Sequence, residues 1–147
     1  MLSLDISGIQ LTLRASDGLA QVFDPVRRRW FLLTPEEHVR QYTLQLFIQK
    51  LHYPAGMLSV EKQIEVNGMA RRFDIVVYDR KHQPWMLVEC KAPEIPLSGE
   101  TLRQLLHYQG QVRCRYWLMT NGHQAFCADA ADIHSIKWLE QLPAYDL

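Results

Sequence analysis

Three consecutive stretches of β-type sequence, joined by tight turn signals, constrain this chain most. Residues 58–66 alternate in part between apolar and polar, and Asn67-Gly68 follows. Asn-Gly suits the two positive-φ positions of a tight hairpin turn. Residues 70–78 return and end in the run Phe73-Asp74-Ile75-Val76-Val77-Tyr78. After a loop over residues 79–84, a third apolar run spans residues 85–90 and ends at Lys91. Such a meander has to be covered by other elements before it forms a core.

The flanking sequence supplies helices. Thr34 is an N-cap candidate, Pro35 suits the first helical position, and Glu36 and Glu37 favour the positive end of the helix dipole. Val39, Tyr42, Leu44, Leu46, Phe47 and Ile48 give a broad apolar face through about Leu51. Ser98 can cap a second helix running to about Arg113, with Leu102, Leu105, Leu106 and Val112 at helical spacing. Residues 116–120 read as a buried strand, Asn121-Gly122 as a turn and residues 123–127 as its return. A short helix over residues 133–142 is predicted to close the chain. Near the N-terminus, residues 9–14 and 19–23 read as a hairpin split by Ser16-Asp17-Gly18, and Trp30 to Leu33 as an apolar run leading into the first helix. The expected fold class is α/β, an α/β/α sandwich with an extra N-terminal β-hairpin. The 147 residues suit a single domain: a β extension over 1–33, a core over 34–127 and a C-terminal helix over 128–147.

Composition narrows the function classes. Hydrophobic residues make up 48%, enough for an ordinary core. No apolar stretch approaches the roughly 20 residues a bilayer span needs, so no membrane association is expected. The segment from Met1 to Gln10 lacks a basic region followed by an apolar run, so it does not read as a secretory signal. Cys90, Cys114 and Cys127 are odd in number, widely spaced and without CxxC, which favours free thiols in a reducing cytoplasm. Cys114 and Cys127 read as small core residues, and Trp30, Trp85, Trp117 and Trp138 as core or interface aromatics. The histidines stand singly, so no zinc pattern emerges. Zero net charge argues against a purely electrostatic nucleic-acid binder. A local basic patch remains open to Arg27, Arg28, Arg29, Arg71, Arg72, Arg103, Arg113 and Arg115, which can equally be solvated surface charge.

The chemistry centres on Asp74, Glu89 and Lys91. Glu89 and Lys91 are two apart in a strand, so both point to one face while Cys90 points to the other. Asp74 lies within the preceding strand, and pairing of the two strands would bring it towards Glu89. Close carboxylates repel unless a cation or partner compensates them, and magnesium takes one or two carboxylates with water and phosphate oxygens. Lys91 can position an attacking water or stabilise developing negative charge, which makes phosphodiester hydrolysis the natural reaction. By spacing alone, a surface ion pair at a strand end is the competing explanation.

Asp74 followed by Glu89-Cys90-Lys91 resembles the PD-(D/E)XK nuclease superfamily. The wider set is more specific. Arg29-Trp30 to Leu33, Thr34-Pro35-Glu36-Glu37-His38-Val39-Arg40-Gln41, Arg72-Phe73-Asp74-Ile75-Val76-Val77, Val88-Glu89-Cys90-Lys91-Ala92-Pro93 and Thr120-Asn121-Gly122 resemble the type I restriction enzyme R-subunit N-terminal domain family. The resemblance covers about residues 25–127. It implies a restriction-endonuclease-like αβββαβ core. It further implies Asp74 and Glu89 as ligands of Mg2+ (with Mn2+ able to substitute), the Cys90 backbone carbonyl as a further ligand, and Lys91 as the catalytic lysine. Gln104 and Tyr108 match a Q-x-x-x-Y motif and share a helix face at i and i+4. They would touch the DNA backbone or tune the site, or be ordinary polar helix positions. Arg72 joins them as a DNA-binding candidate. Glu37 matches an acidic metal-binding position on the first helix, but as N3 of a capping box it can equally reach back to the Thr34 backbone. Phe73 stands where the superfamily name implies proline.

The resulting expectation is a stand-alone Mg2+-dependent DNA endonuclease, since no motor follows the nuclease segment. DNA is the expected partner, with a homodimer and separate motor or specificity subunits as further candidates. The alternative is a catalytically silent nucleic-acid-binding or scaffold module that keeps the fold.

Overall fold

Two sheets make up the computed structural model, which describes residues 1–109 and 112–145. A small sheet of β1 (Leu13–Ser16), β2 (Leu19–Asp24) and β3 (Arg29–Leu32) comes first. The predicted hairpin therefore gains a third strand. Trp30 and Phe31 pair across from Phe23 and Val22 rather than leading directly into the helix. The first strand also starts later than residue 9, because Ile9 sits in a turn with its N–H on the Ile6 carbonyl.

Helix α1 (Pro35–Gln45) begins where its capping sequence places it, with the Glu37 N–H on the Thr34 hydroxyl at 3.0 Å. Its last turn widens into π geometry over Leu46–Lys50, and left-handed His52 followed by Pro54 ends the helical path. The main sheet then runs β4 (Leu58–Val66), β5 (Met69–Tyr78), β6 (Pro84–Cys90), and, after α2 (Gly99–Gln109), β7 (Tyr116–Thr120), β8 (Ala125–Asp129) and β9 (Lys137–Trp138). Spatial order follows chain order. Every neighbouring pair is antiparallel except β6 with β7, which are parallel and joined by the α2 crossover.

Each face of this sheet has its own core. Val39 and Leu44 of α1 and Phe47 of the π turn that follows it pack with Ile75, Val77, Met86, Val88 and Leu118. Leu102 and Leu106 of α2 pack with Val76, Leu87, Trp117 and Met119 on the other side. One helix thus covers each face. Cys127 is buried, Trp85 and Trp117 are core residues, and the Cys114 and Cys127 thiols are both pushed up to about 12 by burial, which leaves them unreactive at neutral pH.

Three predicted boundaries change. The second helix ends by Gln109; Val112 and Arg113 are not helical, and residues 110 and 111 lie outside the described ones. The return strand starts at Ala125 because the Asn121 side chain holds residues 121–124 in a tight turn. No helix forms over residues 133–142. Ile136 and Trp138 pack on the α2 side of the sheet while Leu139 and Leu142 pack on the α1 side. A chain crossing the sheet edge in this way has to be extended, and Lys137–Trp138 pairs with β8. Among the described residues no helix is long and apolar enough to cross a membrane.

Candidate active site

The site lies where the β5–β6 ladder stops. Its last pair in this direction is Ile75 with Val88. One register step further Asp74 comes alongside Glu89, whose carboxyl feels the Asp74 charge, and the Asp74 carboxylate takes the place of a ladder acceptor. The Cys90 N–H donates to Asp74 Oδ2 at 2.7 Å. On its other flank, β5 pairs with β4 through Val60 with Ile75 and Lys62 with Phe73, which brackets Asp74 opposite Glu61. Glu61 is left-handed, at φ +51°. Such a conformation costs a β-type residue about 1–2 kcal/mol. Val60, Ile75 and Val77 face the α1 core, whereas Ile64, Val66 and Phe73 face the α2 core. Simple alternation cannot place Phe73 and Ile75 on opposite faces. The two strands exchange faces at the Glu61–Asp74 row, and Asp74 turns towards α1.

Arg40 of α1 meets it there. Its Nη2 lies 2.9 Å from Asp74 Oδ1, and its Nη1 lies 2.9 Å from Glu37 Oε1 and 3.4 Å from Glu61 Oε1. The guanidinium is buried, with 6% of the side chain exposed. Burial opposes its charge, but Glu37 and Asp74 more than offset this and hold its pKa above the usual arginine value. Its Nε has no hydrogen-bond partner among the described residues.

Glu37 makes half of the expected capping box. The Thr34 N–H goes to the Leu32 carbonyl, so the Glu37 carboxylate does not reach back to it. It accepts instead from Arg27 and Arg40 on Oε1 and from Gln41 on Oε2. Arg27 is correspondingly not part of a solvated basic patch. It is tied to Asp24 at 2.7 Å and lies over the Phe31 ring.

Glu89 and Lys91 share a face as strand alternation requires, with Lys91 Nζ 3.5 Å from Glu89 Oε1. Burial, then the nearby Asp74 charge, push the Glu89 carboxyl up to about 7; Lys91 only partly opposes them. The Lys91 backbone is fixed by its N–H on the Thr120 carbonyl at 2.8 Å. Asn121 ties down the segment beyond it, with Nδ2 on the Ile95 carbonyl at 2.8 Å. The Cys90 thiol points into the α1-side core and is held well above its ordinary pKa by burial.

The remaining candidates stand apart. Gln104 and Tyr108 are exposed on α2, and no hydrogen bond or ion pair joins them to Asp74, Glu89 or Lys91 among the described residues. Arg72 is exposed and paired with Glu61 at 2.8 Å. An open cleft of about 550 Å³ beside the site is lined by Thr34, Glu36, Glu37, Arg40, Glu61 and Glu94, among others. A larger cavity of about 700 Å³ lies around Arg113, Cys114 and Trp117, away from the carboxylates. The first of these matters here, because it shares Glu37, Arg40 and Glu61 with the Asp74 network.

Among the described residues no group of three or more His, Cys, Asp or Glu side chains is arranged to hold a metal ion. The donor set that exists is a carboxylate pair. Asp74 is already compensated by Arg40 and a backbone N–H, while Glu89 is half-buried and under-compensated. Two hard oxygen donors with one unsatisfied negative charge suit magnesium, which completes its shell with water, and not a thiolate- or imidazole-bound metal.

Residues 35–143 match the model of the type I restriction enzyme R protein N terminus. The chain belongs to this family. The matched span takes in α1, the Asp74 and Glu89 strands, Lys91 and the Thr120-Asn121-Gly122 turn, and the family segment leaves β1–β3 outside it. No curated protein matches the sequence. Sequence reasoning passed over Arg40, Gln41, Asp24 and Glu61 as site residues. The available signal was on α1: Glu37, Arg40, Gln41 and Leu44 follow helical spacing, so a charged stripe shares the face of a core leucine.

Proposed function

We propose that this chain is a magnesium-dependent DNA endonuclease domain of PD-(D/E)XK type that hydrolyses phosphodiester bonds. The carrying observation is the placement of Asp74 alongside Glu89 at the open end of the β5–β6 ladder, with Lys91 Nζ 3.5 Å from Glu89. The order α1, β4, β5, β6, α2, β7 supports reading this part as a restriction-endonuclease-like core. Asp74 and Glu89 would hold Mg2+ or Mn2+, with the Cys90 carbonyl as a further oxygen. When bound, such an ion polarises the phosphate and acidifies a water. Lys91 would hold the attacking water or a phosphate oxygen through Nζ, with Glu89 orienting that ammonium. The water oxygen would bond phosphorus as the water gives up a proton to solvent, the P–O bond to the leaving sugar would break, and the leaving oxygen would take up a proton from a solvent water. Glu37 would serve Asp74 through Arg40, since its own oxygens are engaged. Gln104, Tyr108 and Arg72 would contact the DNA backbone from the rim. Separate motor or specificity subunits, or a second copy, would be its protein partners.

One observation favours a catalytically silent nucleic-acid-binding module instead: both Asp74 oxygens already accept hydrogen bonds, from Arg40 and Cys90. Cleavage of supercoiled plasmid with Mn2+, wild type against Lys91→Ala, separates the two. The endonuclease reading expects cutting that Lys91→Ala reduces by roughly 100-fold or more. Equal cutting by both counts against the assignment of Lys91, and none by either across duplex, branched and single-stranded DNA favours the silent module.

A further inference from the structure

The N-terminal sheet lies outside the family segment, yet it is wired into the site. Asp24, at the end of β2 and fully buried, accepts from the Val26 and Arg27 N–H groups, from Arg27 Nε and from Gln41 Nε2. It thereby folds the β2–β3 turn and aims Arg27 at α1. Arg27 Nη2 donates to Glu37 Oε1 at 3.0 Å, and the same oxygen receives Arg40 Nη1 at 2.9 Å. Arg40 Nη2 then holds Asp74 Oδ1 at 2.9 Å. A continuous chain of charge-assisted bonds thus runs from Asp24 through Arg27, Glu37 and Arg40 to Asp74. Without Arg27, Glu37 loses one of its two guanidinium partners, and the remaining one, Arg40, is drawn towards it and away from Asp74.

We propose that Arg27 is a positioning residue for the Asp74 carboxylate, acting through Glu37 and Arg40, so that the β1–β3 sheet is a working part of the site. The proposal rests on the endonuclease reading only for what Asp74 does once positioned. The Cys90 N–H, bonded to Asp74 Oδ2, reports that position in the metal-free full-length chain.

Amide hydrogen exchange followed by NMR provides the test. Arg27→Met is expected to speed exchange at Cys90 by roughly ten-fold while Leu118, central in β7, keeps its rate. Arg27→Lys has one ammonium that cannot serve Asp24 and Glu37 together, so it gives an intermediate rise of about three-fold. Glu61 also bridges Arg27 and Arg40, at 3.6 and 3.4 Å, so in a Glu37→Gln, Glu61→Gln background, where both links are cut, Arg27→Met adds nothing. An unchanged Cys90 rate in either Arg27 variant, an equal acceleration at Leu118, or full additivity in that double background overturns the proposal. Should Arg27→Met not fold, Arg27→Lys alone decides by the same criteria. Mn2+ titration of the wild type reads the endonuclease reading separately: no binding there counts against the metal site and leaves the Cys90 result standing.

Discussion

Arg40 and Asp74 are joined across the helix–sheet interface at 2.9 Å, with the arginine buried and the aspartate nearly so. The pair explains how a carboxylate survives inside an apolar strand. Asp74 replaces a ladder carbonyl for the Cys90 N–H and takes a guanidinium on its other oxygen.

Arg40→Met should therefore be among the most damaging substitutions in the chain. It leaves Asp74 and Glu37 as buried charges without their shared partner, a loss of roughly 3–5 kcal/mol. Urea denaturation at pH 7.5 measures it. Adding Asp74→Asn to Arg40→Met should recover part of the loss, because the stranded charge is then gone. A loss below about 1 kcal/mol would mean that the buried pair is replaceable by water.

Glu89 gives a pH dependence of opposite character. Its folded pKa is raised from the ordinary value of 4.5 to about 7, first by burial and then by Asp74. Between those values the folded state keeps a proton that the unfolded chain has released, so stability falls as pH rises and the full cost is reached above about 7. Glu89→Gln should accordingly stabilise the metal-free protein at pH 8, by roughly 1–3 kcal/mol, and leave it little changed at pH 5. Parallel stability–pH curves for the two proteins between pH 5 and 8 would refute this.

A divalent cation should relieve the same cost. Millimolar Mn2+ or Mg2+ at pH 8 is expected to raise the melting temperature, by a free energy of about 2.7 kcal/mol once the ion is at 100 times its Kd. The rise should shrink at pH 6, where Glu89 holds its proton, and vanish in Asp74→Asn and Glu89→Gln. Lys91→Ala should keep it, since Lys91 is not a ligand. Differential scanning fluorimetry with calcium and EDTA controls is sufficient, and an equal response in Glu89→Gln would place the ion elsewhere.

The parts of this structure that could be read from sequence are those set by neighbours along the chain. Alternation placed Glu89 and Lys91 on one face, Asn67-Gly68 marked the β4–β5 turn, and Thr34-Pro35 marked the start of α1. The Arg40 network could not be read this way. Its members at positions 24, 27, 37, 40, 61 and 74 come from four elements and a turn, and Asp24, Arg27, Arg40 and Glu61 each alone look like surface charge. The face exchange at Glu61 and Asp74 was equally hidden, because neither glycine nor asparagine marks the left-handed position. Residues 133–142 misled for the reverse reason: Ile136, Leu139 and Leu142 recur every three residues, a helical spacing produced by a segment that wraps the sheet edge around the short β9.

Asn121 offers a way to separate the turn from the loop that carries Lys91. Its side chain makes three hydrogen bonds in a nearly buried position. Oδ1 accepts from the His123 and Gln124 N–H groups, which fixes the turn, and Nδ2 donates to the Ile95 carbonyl, which holds the segment after Lys91. Asn121→Ala removes all three and should cost roughly 2–3 kcal/mol. Asn121→Asp is the sharper probe. It keeps the acceptors for the turn but sets a carboxylate against the Ile95 carbonyl in place of a donor. The β7–β8 hairpin should then keep its amide protection while residues 92–97 lose theirs, and any cleavage activity should fall with Mn2+ affinity little changed. Loss of protection in the hairpin itself would show that the turn and the loop do not come apart, and that Asn121 serves stability alone.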